Sequence, residues 1–200
     1  MIAIIDGCGS NIASVQFSLQ RLGYESVLTH DPEIIQQASH IILPGVGHAK
    51  KAMQQLQQLG LVQVIRELKQ PVLGICLGMQ LLYDFSEEGG VDCFGIIPGR
   101  IARMPDADCV LPHMGWNKIE GPEKGCFALS GDANELNGYV YFVHSFSAPI
   151  NDYTLTKTCY AEPFTSMVKR DNFVGMQFHP EKSGDFGERL LDKFLKGELV

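Results

Sequence analysis

Hydrophobic positions in the first eighty residues alternate between short continuous runs and runs spaced three or four residues apart. Continuous runs of this length predict buried strands, and the spaced runs predict amphipathic helices. The predicted strands are 2–5, 24–28, 40–43 and 72–75, and the predicted helices are 12–22, a short one from 31, 48–58, 61–69 and one from 77. This alternation predicts an α/β fold with a parallel sheet and right-handed crossovers.

The pattern changes after Phe85, where Gly, Pro and Asp become frequent and helical spacing disappears. The short β-like runs that follow are 95–104, 116–119, 139–143, 153–160 and 164–169. We expect them to add antiparallel or mixed strands to the same sheet system. A strand at 172–178 and a helix near 186–195 complete the pattern. Because no Pro/Ser-rich linker, charge block or repeat interrupts the chain, we expect one domain over residues 1–200.

Composition and charge narrow the class of protein. With 45% hydrophobic and 20% charged residues, the chain is typical of a soluble globular domain. A net charge of −7 without a large Lys/Arg cluster disfavours a nucleic-acid-binding surface. The chain lacks the apolar run of a membrane span and the basic N-terminal segment of a signal peptide. Six cysteines without C-x-x-C pairs indicate reduced thiols, so a cytoplasmic protein is expected.

Cys76 lies where the fourth predicted strand switches to a helix, with Gly74 and Gly78 two residues to either side. This is the G-x-nucleophile-x-G pattern of a nucleophile elbow, with Cys in place of Ser. The N-terminus of the helix, which we expect to run on through Phe85, favours the thiolate form. A free Cys is more often a small buried hydrophobe. Here the glycines and the strand-to-helix switch favour a nucleophile.

A cysteine nucleophile requires a base and a group that orients the base, and the segment His179-Pro180-Glu181 offers both. Pro180 disfavours helix and favours extended backbone, in which residues two apart point to the same side. Glu181 can then meet the imidazole of His179. Since His179 follows an apolar strand, it is expected at the same sheet edge as Cys76. A lone His after a strand is often structural, but the elbow favours a Cys-His-Glu triad.

Acyl transfer also requires N–H donors for an oxyanion. The N–H of Leu77, at the helix N-terminus, is one candidate, and the glycine-rich loop 45–47 offers a second. The segment 144–146 follows a predicted strand, and its backbone groups are candidates to line the same pocket. Glu87 and Glu88 are either a solvated loop pair or close the elbow helix and reach the pocket.

Other features of the chain have simpler interpretations. His48, His113 and His144 have no H-x-x-x-H or C-x-x-C spacing, which disfavours a metal site. The glycine-rich turn after the first strand has Ile12 where a dinucleotide motif requires Gly, so a tight turn is favoured. The loop 112–117 contains the only Trp. Its Met and Trp either pack on the core or anchor a partner.

Two segments together resemble the class I (triad) glutamine amidotransferases: Gly74-Ile75-Cys76-Leu77-Gly78-Met79-Gln80 and Phe178-His179-Pro180-Glu181. Within that family, further segments look like the glutaminase subunits of imidazole glycerol phosphate synthase: Pro44-Gly45-Val46-Gly47, Pro112-His113-Met114-Gly115-Trp116-Asn117, His144-Ser145-Phe146 and His179-Pro180-Glu181-Lys182-Ser183. The chain differs at Asp6-Gly7-Cys8, where such subunits often have Asp-Tyr-Gly. The resemblance implies a flavodoxin-like, three-layer α/β/α fold with a central, mostly parallel sheet and added antiparallel strands.

The resemblance also implies an activity, which is glutamine hydrolysis through a thioester on Cys76, with Val46 and Leu77 as the oxyanion hole. The residues that would hold the α-amino and α-carboxylate groups are Gly47, Gln80, Glu88, Ser145 and Phe146. No cofactor or metal is expected. The implied partner, in a heterodimer, is a (β/α)8-barrel cyclase. It would use the ammonia to form imidazole glycerol phosphate and an aminoimidazole carboxamide ribotide in histidine biosynthesis. The interface candidates are Asn11, Met114, Trp116 and Lys182.

Three other readings of the same residues remain open. One is the glutaminase subunit of another triad amidotransferase, for anthranilate, aminodeoxychorismate or pyridoxal phosphate synthesis, against which the loop 112–117 argues. Another is a γ-glutamyl peptidase that uses the same triad. The third is a non-enzymatic α/β scaffold that only binds a partner.

Overall fold

The computed structural model describes residues 1–7, 12–106, 109–121 and 133–200, and it contains helices and strands in alternation. Its strands are β1 (Ile2–Ile5), β2 (Ser26–Thr29), β3 (His40–Gly45), β4 (Val72–Cys76), β5 (Tyr83–Ser86), β6 (Val91–Asp92), β7 (Ile97–Arg103), β8 (His113–Ile119), β9 (Gly138–His144), β10 (Phe146–Ser147), β11 (Thr154–Tyr160), β12 (Glu162–Arg170) and β13 (Phe173–Met176). Its α-helices are α1 (Ile12–Arg21), α2 (Pro32–Gln37), α3 (Ala49–Gln58), α4 (Leu61–Glu67), α5 (Leu77–Gln80) and α6 (Gly184–Leu195). The helices of these residues are too short or too polar to cross a membrane.

A seven-stranded sheet in the order β11-β12-β13-β4-β3-β1-β2 forms the centre of the molecule. The pairs from β13 through β4, β3 and β1 to β2 are parallel, whereas β11 and β12 add to one side in antiparallel pairing. The predicted α/β fold with a mostly parallel sheet and added antiparallel strands is therefore confirmed. Since β4 lies between β3 and β13, the carboxyl ends of these three strands meet at one edge.

Helices cover both faces of this sheet and divide the core into two parts. Along β1, Ala3 and Ile5 point to one face, whereas Ile2 and Ile4 point to the other, as the pleat of a strand requires. The first face packs against buried side chains of α2, α3 and α4, which are Ile35, Leu56, Leu61 and Ile65. The second face packs against buried side chains of α1 and α6, which are Val15, Leu19, Leu190, Leu191 and Phe194. Burial of each large aliphatic side chain stabilises the fold by about 1.5–3 kcal/mol.

The helix after Cys76 is much shorter than the hydrophobic spacing predicts. Helix α5 ends at Gln80, and the chain then enters β5, so the prediction of a helix through Phe85 is wrong. Strand β5 pairs with β6 and β7, and these pairings from distant segments override a locally helical pattern. Glu87 and Glu88 therefore follow a strand and do not close a helix.

The later strands do not all join the central sheet. Of the described strands after α5, β11, β12 and β13 do so, whereas β10, β7, β5 and β6 form a separate four-stranded sheet, and β8 and β9 form a two-stranded hairpin. The expectation of one sheet system is wrong for the predicted runs 95–104, 116–119 and 139–143, which correspond to β7, β8 and β9. Short runs that satisfy the strand pattern do not specify a partner strand, because the pairing depends on contacts distant in the sequence.

Candidate active site

Cys76 lies on a tight turn that is possible only because the flanking residues Gly74 and Gly78 have no side chains. Its backbone has φ 53° and ψ −110°, a conformation in which L-residues are strained. A Cβ on Gly78 would lie 1.8 Å from the carbonyl oxygen of Leu43, and one on Gly74 would lie 2.6 Å from the carbonyl oxygen of Gly78. The two glycines of the predicted elbow thus allow the close approach of α5 to β3 and β4.

His179 and Glu181 lie just past the end of β13, beside the elbow. The Nδ1 atom of His179 is 2.8 Å from Oε1 of Glu181, and only 3% and 2% of the two side chains are exposed. The contact was expected from extended backbone, but the segment Pro180–Lys182 is a 3₁₀ helix. His179 itself is extended, as expected, with φ −98° and ψ 98°, but the expectation that Pro180 excludes helical structure is wrong. Proline is favoured in the first turn of a helix, where its missing N–H is not needed.

Ser183 fixes this turn, a role that its position in the sequence did not indicate. Its hydroxyl donates to the carbonyl of His179 at 2.6 Å and accepts the N–H of Tyr141 at 2.9 Å. The N–H of His179 donates to the carbonyl of Tyr141 at 3.0 Å. The backbone of His179 is therefore tied to Tyr141 of β9 both directly and through Ser183, which fixes the position of the base beside Glu181.

Cys76 and His179 line a single cavity of about 370 Å³. Strands β4 and β13 are parallel neighbours in which Ile75 is paired with Met176, so residues beyond their carboxyl ends share one edge. The cavity is lined by Val46, Gly47, Cys76, Leu77, Gln80, Glu88, Arg103, Pro112, Val143, His144, Ser145, Phe146 and His179. Its volume fits a small metabolite.

The surroundings of His179 favour its protonated form. Burial lowers the pKa of the imidazole, but interactions with Cys76 and Glu181 outweigh this effect and raise the pKa to about 10. The other ring nitrogen, Nε2, is buried and has no hydrogen-bond partner among the residues that the structure describes. It is therefore available to the sulfur of Cys76. The imidazole that a cysteine nucleophile requires as its proton partner therefore lies beside Cys76.

The residues expected at the oxyanion hole and around the substrate also lie at this cavity. Val46 and Gly47 follow β3, and Leu77 begins α5. The amide nitrogen of Gln80 donates to the carbonyl of Phe146 at 2.9 Å and to Oε1 of Gln177 at 3.0 Å. Gln177 is buried, and the sequence did not single it out.

Glu88 and Ser145 are held at the cavity by backbone contacts. Oε2 of Glu88 accepts the N–H of Ala49 at the start of α3, at 2.8 Å. The carbonyl of Ser145 accepts the N–H of Met104 at 2.9 Å. Glu88 therefore reaches the pocket, which was one of the two alternatives, although the route is a loop after β5 and not the end of a helix.

A buried pair of histidines, His113 and His144, forms part of the wall of the cavity, which His144 lines directly. His144 Nδ1 donates to the carbonyl of Phe146 at 2.9 Å, and His113 Nδ1 lies 3.0 Å from His144 Nε2. Asn117 Nδ2 completes the chain at 3.3 Å from His113 Nε2. Each ring has one donor and one acceptor in this arrangement, so both are neutral. Burial lowers the pKa of His113 to about 4 and that of His144 to about 3.

Among the residues that the structure describes, no three His, Cys, Asp or Glu side chains are grouped as metal ligands. Strands β8 and β9 pair in a register that places His113 directly opposite His144. This pairing, which the sequence did not reveal, brings them together.

Three of the four interface candidates have described positions. Met114 and Trp116 lie on β8 with exposures of 63% and 58%, and Lys182 is exposed in the 3₁₀ helix after His179. Of the two alternatives for Met114 and Trp116, packing on the core is therefore excluded. Asn11 lies outside the described residues. Tyr139 on β9, with an exposure of 62%, extends the apolar surface and was not anticipated.

Comparison with known proteins relates this geometry to a family. The sequence matches the model of the class I glutamine amidotransferase family over residues 3–197. It is 51% identical over 200 residues to imidazole glycerol phosphate synthase subunit HisH 2 of Legionella pneumophila, covering 99% of this chain and 98% of that protein. It is 47% identical over 195 residues to imidazole glycerol phosphate synthase subunit HisH of Idiomarina loihiensis, covering 98% and 97%.

Solved structures show the same fold at lower sequence identity. A crystal structure of a glutamine amidotransferase superimposes with a TM-score of 0.74 at 17% identity, covering 100% of this chain and 99% of the other. The structure of PurLQS from Thermotoga maritima gives a TM-score of 0.69 at 17% identity, covering 98% and 97%. With a family match over nearly its whole length and relatives about half identical to it, this chain belongs to the class I glutamine amidotransferases.

Proposed function

We propose that this chain is the glutaminase subunit of an imidazole glycerol phosphate synthase, acting as a single domain over residues 1–200. The observation that carries the proposal is the cavity in which Cys76, on a strained turn, meets the buried His179–Glu181 pair. The names of the relatives support the choice of synthase.

The first half of the reaction is attack of the Cys76 thiolate on the side-chain amide carbon of glutamine. The N–H groups of Val46 and Leu77 stabilise the oxyanion that develops. His179 gives its proton to the departing nitrogen, ammonia leaves, and a thioester remains on Cys76. Glu181 keeps the ring in the tautomer and orientation that this transfer requires.

The second half is hydrolysis of the thioester. His179, now neutral, takes a proton from water, and the resulting hydroxide attacks the thioester carbon. The carbon–sulfur bond breaks, glutamate leaves, and the thiolate and the imidazolium are restored. Gly47, Gln80, Glu88 and the backbone of Ser145 and Phe146 hold the α-amino and α-carboxylate groups throughout.

The ammonia is delivered to a (β/α)8-barrel cyclase in a heterodimer. The cyclase forms imidazole glycerol phosphate and an aminoimidazole carboxamide ribotide in histidine biosynthesis, in the cytoplasm. Support for a partner surface comes from Met114, Trp116 and Tyr139, whose large side chains are exposed on the hairpin beside the cavity mouth. Exposed aromatic and Met side chains of this kind are typical interface anchors.

The test is ammonia release from glutamine by the purified chain, measured with and without the cyclase and its nucleotide substrate. We expect release to rise when both are present. Stimulation only by an anthranilate, aminodeoxychorismate or pyridoxal phosphate synthase would identify another amidotransferase. Turnover of γ-glutamyl peptides without a partner would favour the peptidase, and failure of Cys76 to react with a glutamine-like diazo-ketone would favour the scaffold.

A further inference from the structure

Arg103 lines the glutamine cavity but has no role in the mechanism above. Of the described residues that line the cavity, it is the one Lys or Arg. Glu88 lies at the same cavity with the opposite charge. A free α-amino acid also has two charges of opposite sign, because its α-ammonium and α-carboxylate are both ionised at neutral pH.

The backbone of Arg103 is held firmly next to the expected substrate contacts. Strands β7 and β10 are antiparallel, and their register places Arg103 directly opposite Phe146. The N–H of Arg103 donates to Oε2 of Glu87 at 3.0 Å, and the N–H of Met104 donates to the carbonyl of Ser145 at 2.9 Å. The main chain of Arg103 is therefore fixed beside the segment 145–146, and its side chain lines the cavity.

The guanidinium already binds a carboxylate. Its Nη2 atom lies 3.2 Å from Oδ1 and 3.3 Å from Oδ2 of Asp106. This ion pair is exposed, with 57% and 69% of the two side chains accessible. Exposed pairs contribute little to stability, so an exchange of one carboxylate for another costs little. Asp106, which does not line the cavity, thus competes with a substrate carboxylate for the guanidinium.

We propose that Arg103 releases Asp106 when glutamine binds and pairs with the α-carboxylate of the substrate. This inference rests on the proposed function, since it assigns a specificity-determining residue for the same substrate. Glu88 then faces the α-ammonium group, and the two side chains together select a free amino acid. Arg103 acts in binding and not in the chemical step, so its loss raises KM for glutamine and leaves kcat unchanged.

The proposal predicts opposite effects for the two members of the ion pair. In the complex with the cyclase, Arg103→Gln is expected to raise KM for glutamine about tenfold, the scale of a hydrogen bond to a charged group at a half-open site. Asp106→Asn is expected to lower KM about twofold, because the guanidinium no longer has a competing carboxylate. If the ion pair were only structural, both variants would change KM in the same direction, and the proposal would be overturned.

Arg100 provides a matched control. It lies on the same strand, is exposed, and stacks on Phe85 with its guanidinium carbon 4.2 Å from the ring centroid, but it does not line the cavity. Arg100→Gln removes the same charge and is expected to leave KM unchanged. An equal rise in KM in both arginine variants would indicate a general charge effect and would contradict the proposal.

A substrate analogue separates this inference from the proposed function. L-glutaminamide has a neutral amide in place of the α-carboxylate, so its inhibition constant against glutamine is expected to be the same for the wild type and Arg103→Gln. A loss of L-glutaminamide binding in the variant would refute the pairing with the carboxylate. If the wild type released no ammonia, the proposed function would fail first. An active wild type with an unchanged KM in Arg103→Gln would refute the Arg103 inference alone.

Discussion

Cys76 has a strained backbone and is almost fully buried, with only 7% of the residue exposed. A non-glycine residue at φ 53° costs about 1–3 kcal/mol, which the surrounding packing must offset. The strain places the sulfur at the end of β4, beside the cavity and His179. At the residue scale the sequence predicted the strained turn, because the glycines that it requires can be identified directly in the sequence.

Removal of the sulfur is expected to separate the two half-reactions. Cys76→Ala should lower glutamine-dependent synthesis by roughly 10⁴-fold or more, the scale seen when a nucleophile is removed. Added ammonium salts should still support synthesis by the complex, because the cyclase does not require the thiol. Product formation with each nitrogen source is the measurement.

Cys159→Ala is the control for that variant, since Cys159 is an exposed free thiol. It should retain both activities. Loss of ammonium-dependent synthesis in Cys76→Ala would point to a folding or assembly defect and would remove the support for a nucleophilic role.

The pKa of His179 gives stability a pH dependence. Its native pKa, about 10, lies above the ordinary value of 6.5, so the native state holds a proton that the unfolded state releases in this window. The stabilisation is complete below pH 6.5 and is lost as the pH rises toward 10. We expect the free energy of unfolding, measured with urea, to fall between these values.

Glu181→Gln is the matched variant for this effect. It keeps the shape of the side chain and removes the negative charge that helps raise the pKa of His179. Its free energy of unfolding should therefore fall less steeply between pH 6.5 and pH 10. An identical slope in both proteins would contradict the assigned origin of the raised pKa.

Among the elements, the turn between β4 and α5 is the most constrained. Helix α5 crosses so close to β3 that the carbonyl of Leu43 occupies the space of a side chain on Gly78. By contrast, the length of α5 was predicted wrongly, because β5 is stabilised by pairing with β6 and β7. Steric limits act within a few residues and can be read locally, whereas strand pairing cannot.

A methyl group at position 78 should therefore be very costly. Gly78→Ala is expected to destabilise the protein by about 4 kcal/mol or more, since the clash is with backbone and cannot be relieved by a rotamer change. Urea unfolding at neutral pH measures the effect.

Gly23→Ala is the comparison, because Gly23 has φ +84° but nothing within 4 Å of an added Cβ. Only the left-handed conformation is then penalised, at about 1–2 kcal/mol. Equal stability of the two variants would contradict the close approach of α5 to β3 at Gly78.

For the molecule as a whole, the β8–β9 hairpin connects the cavity with an exposed apolar surface. Its inner side carries His113 and His144, whose hydrogen bonds reach the carbonyl of Phe146. Its outer side carries Met114, Trp116 and Tyr139. A partner that binds the outer side therefore lies one strand layer away from the substrate contacts.

Trp116 is the expected anchor of that partner. Trp116→Ala should weaken binding of the cyclase roughly 30-fold, as for an interface hot spot of about 2 kcal/mol. Its effect on the free energy of unfolding should be small, because the side chain is exposed. Titration calorimetry with the cyclase is the measurement. Ile150→Ala, which removes another exposed apolar side chain, serves as the control and should bind normally.

The sequence by itself determined the features that depend on neighbouring residues. These are the α/β alternation, the elbow glycines, and the spacing that lets His179 meet Glu181. Each follows from backbone sterics or hydrophobic periodicity within about ten residues. The family likeness assigned the oxyanion-hole and substrate-binding candidates at the cavity, because its motifs combine segments that local rules treat separately.

Only the tertiary structure decided which distant segments meet. It placed β5 and β7 in a second sheet, set His113 opposite His144, tied the hydroxyl of Ser183 to the N–H of Tyr141, and aligned Arg103 with Phe146. None of these pairings leaves a local pattern, because the chosen partner depends on the packing of the whole chain. The edge shared by Cys76 and His179 has the same origin, as it exists only because β4 and β13 are parallel neighbours.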